Sequence, residues 1–331
     1  MTTDYYTSED LDRLNRIHKE RETDLATLAA VINKAVNDKI VSLDRIIRGE
    51  INQVYLVRLQ NFREKVILRI SKRKKSNFPH ESWAIEQAGK AGVPVPKVLT
   101  FGTFQTEQQS LHYSIQERIN GKSFDNLLWS EKIPAKRARL ITNEAGEILA
   151  RIHNVSTIGY GRINTHGRGQ YETVKDMVLG ECFKRRNAYT RLLKAQGLSE
   201  SAIDDIFIEF AKAKRYLTLP RLIHRDFVPK HIFVDNNDHI VGIIDWEDVQ
   251  SGDPSFDFSA WQFWLNDSYA PIDWLFEGYK RHSNLGVNFD ERFKIARLYF
   301  LNGLINYYVN EAPYLKWAEA GTETIKKILR T

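Results

Sequence analysis

The sequence predicts an α+β protein with two lobes, an N-terminal antiparallel sheet lobe and a larger, mostly helical C-terminal lobe. Three observations support this prediction. Short runs of apolar residues with the two-residue repeat of strands recur between residues 42 and 119. Longer runs with a helical repeat dominate after Gly121, and the turn sequence Asn120-Gly121 separates the two regions. We therefore predict domains at 1–117 and 118–331, with a ligand-binding cleft where they meet.

The elements of the N-terminal lobe follow from their apolar repeats and end signals. A single helix is predicted over residues 8–37, with Ser8 as its N-cap. A second helix is predicted over residues 80–91 and is closed by Gly92. Strands are predicted over residues 42–48, 51–59, 64–70, 97–101 and 111–119.

The C-terminal lobe combines long helices with three short strands. Helices are predicted over residues 135–153, 171–195 and 199–217, and again over residues 257–331 with several breaks. The short strands are predicted over residues 221–224, 231–234 and 239–244. The last two flank Asp235-Asn-Asn-Asp238, a strong turn sequence, and are expected to form a hairpin.

Composition restricts the class of protein. The 331 residues are 42% hydrophobic and 27% charged, which is typical of a globular protein. The single cysteine, Cys182, excludes an intrachain disulfide framework and a cysteine-cluster zinc site. The first ten residues are polar and acidic, unlike a secretory signal, and no apolar run is long enough to span a membrane. A soluble, cytoplasmic protein is therefore expected.

The net charge of +6 is unevenly distributed along the chain. Residues 226–331 contain 16 Asp and Glu against 10 Lys and Arg, together with 20 of the 38 aromatic residues. A basic N-terminal part suits a polyphosphate or a nucleic acid, whereas an acidic, aromatic C-terminal part suits a cationic or ring-bearing ligand. A solvated surface around an aromatic core would give the same counts.

Two aspartates stand at the ends of predicted strands. Asp226 follows the strand over residues 221–224, and Asp245 follows the strand over residues 239–244. The predicted hairpin is expected to bring both carboxylates to the same side. One carboxylate beside an acceptor hydroxyl and another on a metal ion is the arrangement that phosphoryl transfer uses. Asp226 is therefore the candidate catalytic residue, with His224 as scaffold, and Asp245 is the candidate Mg²⁺ ligand.

Residues 222–258 resemble the core motif of the aminoglycoside phosphotransferase family, which includes macrolide and hygromycin phosphotransferases. The matching residues are His224-Arg-Asp226, His231, Ile244-Asp245-Trp246 and Gly252-Asp253-Pro254 followed by Asp257. The resemblance implies a protein-kinase-like bilobal fold and a small-molecule O-phosphotransferase that uses ATP or GTP with Mg²⁺. It also implies that Asp226 is catalytic, and that His231 and Asp245 face the metal and the phosphates. Asp253 and Asp257 are expected to be structural.

Two residues depart from the family pattern. Arg225 replaces the usual Gly, and His231 replaces the commoner Asn. No activation segment fits between Asp245 and Asp257, so a regulatory role for Arg225 is not expected. Imidazole is a poorer ligand than an amide oxygen for a hard cation. His231 is therefore expected to bind Mg²⁺ weakly, to hydrogen-bond Asp245, or to contact phosphate.

The resemblance extends to the nucleotide-binding part of the N-terminal lobe. Residues 48–55 resemble the nucleotide loop, and Arg69 stands where the family has its phosphate-binding cation. Glu81 is expected to pair with Arg69 and hold it in place. The basic run over residues 72–75 is interpreted as a solvated turn, with added positive potential near the phosphates as the alternative. The segment that resembles the hinge, whose backbone groups would bind the purine, contains Gln116, Glu117 and Ile119.

The resemblance places the acceptor site in the C-terminal lobe. Acidic residues there suit the ammonium groups of aminoglycosides, and aromatic residues suit sugar or macrolide rings. The candidate residues are Glu247, Asp248, Trp264, Asp267, Trp274 and Glu277, with Trp261, Tyr269, Asp273, Tyr279 and Glu311 as further candidates. The alternative for the aromatic residues is packing between helices.

Other functions stay open from the sequence. A metabolic kinase for a sugar, a choline-like alcohol or an amino alcohol would carry the same motifs. A catalytically inactive member would bind nucleotide or a partner without turnover. The pI of 9.1 also raises nucleic-acid binding, but the basic residues form no patch interleaved with aromatic residues. The expected partners are a nucleoside triphosphate and a small-molecule acceptor, with neither a nucleic acid nor a membrane.

Overall fold

The computed structural model describes residues 8–20, 22–47, 51–183, 185–215, 218–265, 269–312 and 314–330. The described residues divide into two compact units. The first lies within Met1–Ile141 and Pro229–Glu247, and the second lies within Thr142–Val228 and Asp248–Thr331. The chain thus leaves the first unit after Ile141, returns to it at Pro229, and leaves it again after Glu247. The return was not anticipated from the sequence.

A five-stranded antiparallel sheet forms the centre of the first unit, as predicted. Its strands lie in the order β1-β2-β3-β5-β4. They are β1 (Ile40–Ile46), β2 (Gln53–Leu59), β3 (Val66–Ser71), β4 (Val98–Gln105) and β5 (Ser110–Glu117). Alternate residues of β2, Tyr55, Val57 and Leu59, are buried, which is the two-residue repeat that predicted the strand.

The helix predicted over residues 8–37 is wrong as a single element. The structure has α1 (Ser8–Glu20) and α2 (Leu25–Val36) instead, and the side chain of Ser8 lies outside the described residues. Asp24 is the N-cap of α2 and accepts a hydrogen bond from the Thr27 backbone N–H at 2.8 Å. The Thr23 backbone N–H donates to Gln53 Oε1 at 2.9 Å. The backbone N–H groups of Thr23 and Thr27 therefore donate to side chains and not to the backbone carbonyl groups of a continuous helix. A new helix starts at Leu25.

The predicted hairpin is confirmed and belongs to the first unit. It consists of β10 (Ile232–Val234) and β11 (Ile240–Ile243), and β6 (Lys122–Ser123) pairs with the other edge of β10. Asp235 closes the turn by accepting hydrogen bonds from the Asn237 and His239 backbone N–H groups at 2.8 and 3.0 Å. The predicted helix over residues 80–91 is α3 (Phe78–Lys90).

The second unit is mostly helical but also contains a four-stranded sheet. Its strands β7 (Tyr160–Ile163), β8 (Gly169–Tyr171), β9 (Arg221–Ile223) and β12 (Gln250–Gly252) lie in the order β8-β7-β12-β9. Only β9 was predicted. The helices are α4 (Ala135–His153), which begins in the first unit, α5 (Val174–Phe183), α6 (Arg186–Ala195), α7 (Glu200–Lys212), α8 (Ser255–Leu265), α9 (Ile272–Tyr279), α10 (Phe289–Asn306) and α11 (Leu315–Arg330). Among the described residues, none of the helices is long and apolar enough to cross a membrane.

The helix predicted over residues 171–195 is also wrong as one element. Tyr171 ends β8, and Thr173 then accepts a hydrogen bond from the Asp176 backbone N–H at 3.1 Å, which caps the start of α5. Helix α6 follows as a separate element. The helix predicted over residues 199–217 is α7, which has Ser199 as its N-cap and continues as a short 3-10 turn, Ala213–Arg215.

Helices α4 and α9 approach closely at two glycines, and this contact predicts a large effect of a small substitution. A Cβ atom on Gly278 would overlap the Asn143 backbone carbonyl, and one on Gly146 would overlap the Leu275 carbonyl. Because backbone cannot move aside cheaply, we expect Gly278→Ala to lower the free energy of unfolding by about 2–4 kcal/mol. Urea unfolding followed by circular dichroism would measure it.

Gly303 in α10 provides the matched control, since a Cβ there meets no atom within 4 Å. Gly303→Ala should be neutral or stabilise the protein by about 0.5–1 kcal/mol, because alanine has the higher helix propensity. Equal losses of stability in the two variants would contradict the importance of the close approach.

Candidate active site

Arg69 lies in β3 and forms the centre of a buried ion cluster in the first unit. Its guanidinium Nη1 makes a short ion pair with Glu81 Oε1 of α3, so the predicted contact is present. The guanidinium also lies over the ring of Phe78, 5.3 Å from its centroid. Burial alone would lower the pKa of Arg69, but the charges of Glu81, Asp245 and Glu247 raise it above its usual value. Arg69 is therefore held charged and in one orientation.

Asp245 follows β11 with φ +65, in the left-handed region. The β10–β11 pairing holds His231 beside it, because the Ile244 backbone N–H donates to the His231 carbonyl at 3.0 Å. His231 Nε2 lies 3.1 Å from Asp245 Oδ2, and Arg69 Nη2 lies 3.6 Å from Oδ1. The predicted contact of His231 with Asp245 is therefore present.

The electrostatics of Asp245 suit a metal ligand. Burial would raise the pKa of its carboxyl group, but the charge and hydrogen bond of His231 and the charge of Arg69 outweigh burial and hold this pKa well below its usual range. The side chain is still 41% exposed. An ionised, accessible carboxylate fits the site preferred by Mg²⁺, which usually takes one or two protein carboxylates and completes its shell with phosphate oxygens and water.

Glu247, predicted as an acceptor-binding residue, has its contacts in the same cluster. Its Oε1 accepts from Arg73 Nη1 at 2.8 Å and from Asn77 Nδ2 at 3.3 Å. Its Oε2 accepts from Asn52 Nδ2 and lies 3.4 Å from Arg69 Nη2. The side chain is only 9% exposed. The basic run over residues 72–75 is thus not wholly a solvated turn, because Arg73 reaches into the cluster.

Arg73, Asn52 and Asn77 were missed as site residues in the sequence. Arg73 stood in a recognised basic run, and a charge excess near the strand that carries Arg69 was the available signal. Asn52 lies in the segment that resembles the nucleotide loop, of which residues 48–50 are outside the described residues. Asn77 is the N-cap residue of α3, and its role had no local signal.

The segment predicted to bind the purine lies at the end of β5. Gln116 is buried, and its Nε2 donates to Ser114 Oγ at 3.3 Å. The Glu117 backbone N–H donates to the Lys97 carbonyl at 2.9 Å, so the sheet already uses this donor. Ile119 packs against Gly242 so closely that a Cβ atom on Gly242 would collide with it. The backbone of Glu117 is therefore a poorer candidate for a purine donor than the sequence suggested.

The predicted catalytic residue, Asp226, lies in the second unit just beyond β9. Its backbone N–H donates to His224 Nδ1 at 3.3 Å, in agreement with a scaffold role for His224. Asp257, at the start of α8, accepts hydrogen bonds from the backbone N–H groups of His224 and Arg225 at 2.8 and 2.5 Å. Its Oδ2 is also 3.0 Å from His153 Nε2. The backbone just before Asp226 is thus tied to one buried carboxylate.

The departure at Arg225 has a structural explanation. Its φ is +72, a conformation that glycine adopts without strain, so the usual Gly of the family is understandable here. The guanidinium lies over the rings of Phe256 and Tyr299, 5.4 and 5.5 Å from their centroids. These contacts offset the strain and anchor the side chain in the second unit. Asp253, expected to be structural, forms a buried ion pair with Arg292 at 2.6 Å.

The acceptor candidates of the second unit fall into different environments. Trp261 and Tyr279 are buried in the core, as the packing alternative predicted. Trp264 is half-buried and makes an edge contact with Trp317, with centroids 4.9 Å apart. Asp248 is exposed and lies 4.0 Å from Arg162 Nη2. Asp267 lies outside the described residues, and the remaining candidates, none of them buried, are Trp274, Glu277, Tyr269, Asp273 and Glu311.

The sheet of the first unit, the charged Arg69–Glu81 pair and the ionised Asp245 define a kinase-like phosphotransferase. Residues 42–282 match the family model described as the Phosphotransferase enzyme family, and the chain belongs to that family. Hygromycin-B 4-O-kinase of Escherichia coli is 25% identical over 189 residues, which are 56% of this chain and 52% of that protein. The chain thus spans about half the length of this relative in the match.

Solved structures with the same fold include aminoglycoside and macrolide phosphotransferases and a putative fructosamine-3-kinase. A thermostable mutant of aminoglycoside phosphotransferase APH(4)-Ia, in a ternary complex with AMP-PNP and hygromycin B, superposes with a TM-score of 0.72 at 19% identity. The match covers 92% of this chain and 98% of that one. Macrolide 2'-phosphotransferase type I gives a TM-score of 0.62 at 13% identity, with 97% and 98% covered. At these identities the likeness establishes the kinase-like fold.

Proposed function

We propose that the protein is a kinase that transfers the γ-phosphoryl group of ATP to a hydroxyl group of an antibiotic-like acceptor, an aminoglycoside or a macrolide. The observation that carries the proposal is the ion cluster of Arg69, Glu81 and Asp245 in a chain of the phosphotransferase family. ATP is the proposed donor because the similar APH(4)-Ia structure holds AMP-PNP. GTP is the alternative donor in the test below.

The side chains of the first unit bind and neutralise the donor in this proposal. Arg69, kept charged and oriented by Glu81, binds phosphate oxygens through its planar guanidinium group. Asp245 would hold Mg²⁺, which would supply positive charge to neutralise the phosphates. His231 fixes the orientation of the Asp245 carboxylate through the 3.1 Å contact. Positioning and charge neutralisation supply most of the catalysis, because the transition state of phosphoryl transfer is loose.

Asp226 acts on the acceptor. Its carboxylate orients the attacking hydroxyl group and accepts the hydroxyl proton late in the reaction. The acceptor oxygen bonds to the γ-phosphorus as the bond between that phosphorus and the oxygen of the leaving ADP breaks. The buried contacts of Asp257 with the backbone of His224 and Arg225 keep the preceding residues in place.

The acceptor class rests on charge and on the curated relative. Residues 226–331 carry an excess of acidic side chains, which suits the ammonium groups of an aminoglycoside. Asp273 and Glu277 on α9 are exposed and could meet such groups. The relative in Escherichia coli is a kinase for hygromycin B, an observation that favours this acceptor kind over a simple metabolic alcohol.

A coupled assay of nucleoside-diphosphate release tests the proposal. The protein is incubated with Mg²⁺ and either ATP or GTP, together with aminoglycosides, hygromycin B, macrolides or simple metabolic alcohols. We expect acceptor-dependent ADP release with at least one antibiotic. If only a metabolic alcohol stimulates nucleoside-diphosphate release, the acceptor is a metabolite and not an antibiotic. Nucleotide binding without release across the panel would favour an inactive, nucleotide-binding member.

A further inference from the structure

Glu247 is a meeting point of four segments of the first unit. Its two carboxylate oxygens contact Asn52 before β2, Arg69 in β3, Arg73 in the turn after β3, and Asn77 before α3. Each oxygen contacts one arginine and one asparagine. A buried carboxylate with its charge and hydrogen bonds satisfied at both oxygens is a well-defined anchor.

The two arginines on Glu247 differ in exposure. Arg69 is buried and also paired with Glu81, whereas the Arg73 side chain is 39% exposed. A guanidinium group has five N–H donors, and the contact with Glu247 Oε1 engages Nη1 of Arg73. The exposed part of Arg73 can therefore meet a second anion while Glu247 holds it.

Glu247 also lies two residues after Asp245, the candidate metal ligand, and both carboxylates contact Arg69. Arg69 Nη2 is 3.6 Å from Asp245 Oδ1 and 3.4 Å from Glu247 Oε2. Glu247 thus contacts both Arg73 and Arg69, the cation that corresponds to the family's phosphate-binding residue. The carboxylates of Glu81, Asp245 and Glu247 balance the charges of the two arginines, so the case for Arg73 rests on its exposed guanidinium N–H donors and not on net positive charge.

We propose that Arg73 is a second cation for the polyphosphate of the nucleotide, and that Glu247 is a positioning residue that holds Arg73 beside Arg69. The inference rests on the proposed function, because it assigns a role within the same nucleotide site. It gives Glu247 a place on the donor side of the reaction rather than the acceptor side. It also separates Arg73 from the rest of the basic run over residues 72–75, because Arg73 contacts the nucleotide and its neighbours do not.

Calorimetric titration with ATP, ADP and AMP in the presence of Mg²⁺ tests the role of Arg73 without any acceptor. We expect Arg73→Ala to weaken ATP binding about tenfold, as loss of one charged hydrogen bond would, and to weaken AMP binding by less than about twofold. Lys74→Ala removes an exposed cation from the same run and is the matched control. It should bind all three nucleotides like the unaltered protein.

Titration with the three nucleotides distinguishes failure of the proposed function from failure of the role inferred for Arg73. If the unaltered protein binds no nucleotide, the proposed function and this inference both fall. If it binds ATP, but Arg73→Ala and Lys74→Ala have the same affinity, the inference alone is overturned. Equal weakening of ATP and AMP in Arg73→Ala would indicate a merely structural role and would also overturn it.

A double-mutant cycle tests the positioning role of Glu247. Glu247→Gln keeps the shape of the side chain and removes its charge. In that background Arg73→Ala should weaken ATP binding by less than about threefold instead of about tenfold, because Arg73 is no longer held in place. An unchanged tenfold effect of Arg73→Ala in both backgrounds would show that Glu247 does not position it.

Discussion

Asp226→Asn is expected to lower acceptor-dependent turnover by a factor of about 10² or more while the protein stays folded. An amide can neither accept the hydroxyl proton nor place a negative charge beside the attacking oxygen. The protein is expected to fold because asparagine has the shape of aspartate and keeps the backbone N–H that donates to His224 Nδ1. The coupled assay with the best acceptor would measure the loss.

Two controls make the Asp226 experiment specific. Asp204→Asn changes an exposed aspartate of α7, which pairs with Arg186 at 3.2 Å, and should leave turnover within about twofold. Calorimetric titration with ATP should give nearly the same affinity for Asp226→Asn as for the unaltered protein, since Asp226 acts on the acceptor. Full turnover in Asp226→Asn would remove the proposed mechanism.

Asp257→Asn is expected to have the largest effect on stability, about 3–5 kcal/mol. The side chain is fully buried and accepts hydrogen bonds from the backbone N–H groups of His224 and Arg225, and it contacts His153 Nε2. The amide group of asparagine would turn an N–H toward one of these donors and leave it unsatisfied. Urea unfolding would measure the change, with Asp204→Asn as a surface control expected within about 0.5 kcal/mol.

The acid dependence of stability gives an independent check on Asp257. Burial would raise the pKa of its carboxyl group. The hydrogen bond from His153 and the charges of His153 and His224 outweigh burial and lower this pKa below its ordinary value of 3.8. The folded protein therefore binds this proton less readily than the unfolded chain. The stabilisation is fully present above about pH 4 and is lost as the pH falls through the folded pKa.

Unfolding free energies measured between pH 3 and pH 7 would reveal this contribution. The unaltered protein should lose stability below about pH 4 more steeply than Asp257→Asn does, because the variant lacks the titrating group. Parallel curves for the two proteins would contradict a depressed pKa for Asp257.

The hairpin could be predicted from the sequence because its signal is local, whereas the Arg69–Glu81 pair was predicted from the resemblance to the family. Asp235-Asn-Asn-Asp238 is a turn sequence whose Asp235 side chain binds backbone N–H groups two and four residues away. Short-range chemistry of this kind leaves a readable pattern of turn, charge and apolar repeat.

The two helix predictions that failed did so where distant contacts compete with the helical repeat. The break before α2 depends on a bond from Thr23 to Gln53, 30 residues away. The break before α5 depends on Tyr171 pairing with Tyr160 as part of a sheet. Apolar periodicity continues through both places and carries no information about these partners.

The sequence by itself determined the family, the antiparallel N-terminal sheet, the cation Arg69 with its partner Glu81, and the two motif aspartates. Tertiary structure alone decided the partners of Glu247, since Asn52, Asn77 and Arg73 lie 195, 170 and 174 residues away along the chain. It also decided the return of residues 229–247 to the first unit. The reason is physical: a buried carboxylate must find donors wherever the folded chain supplies them, and no local pattern records which distant segments will do so.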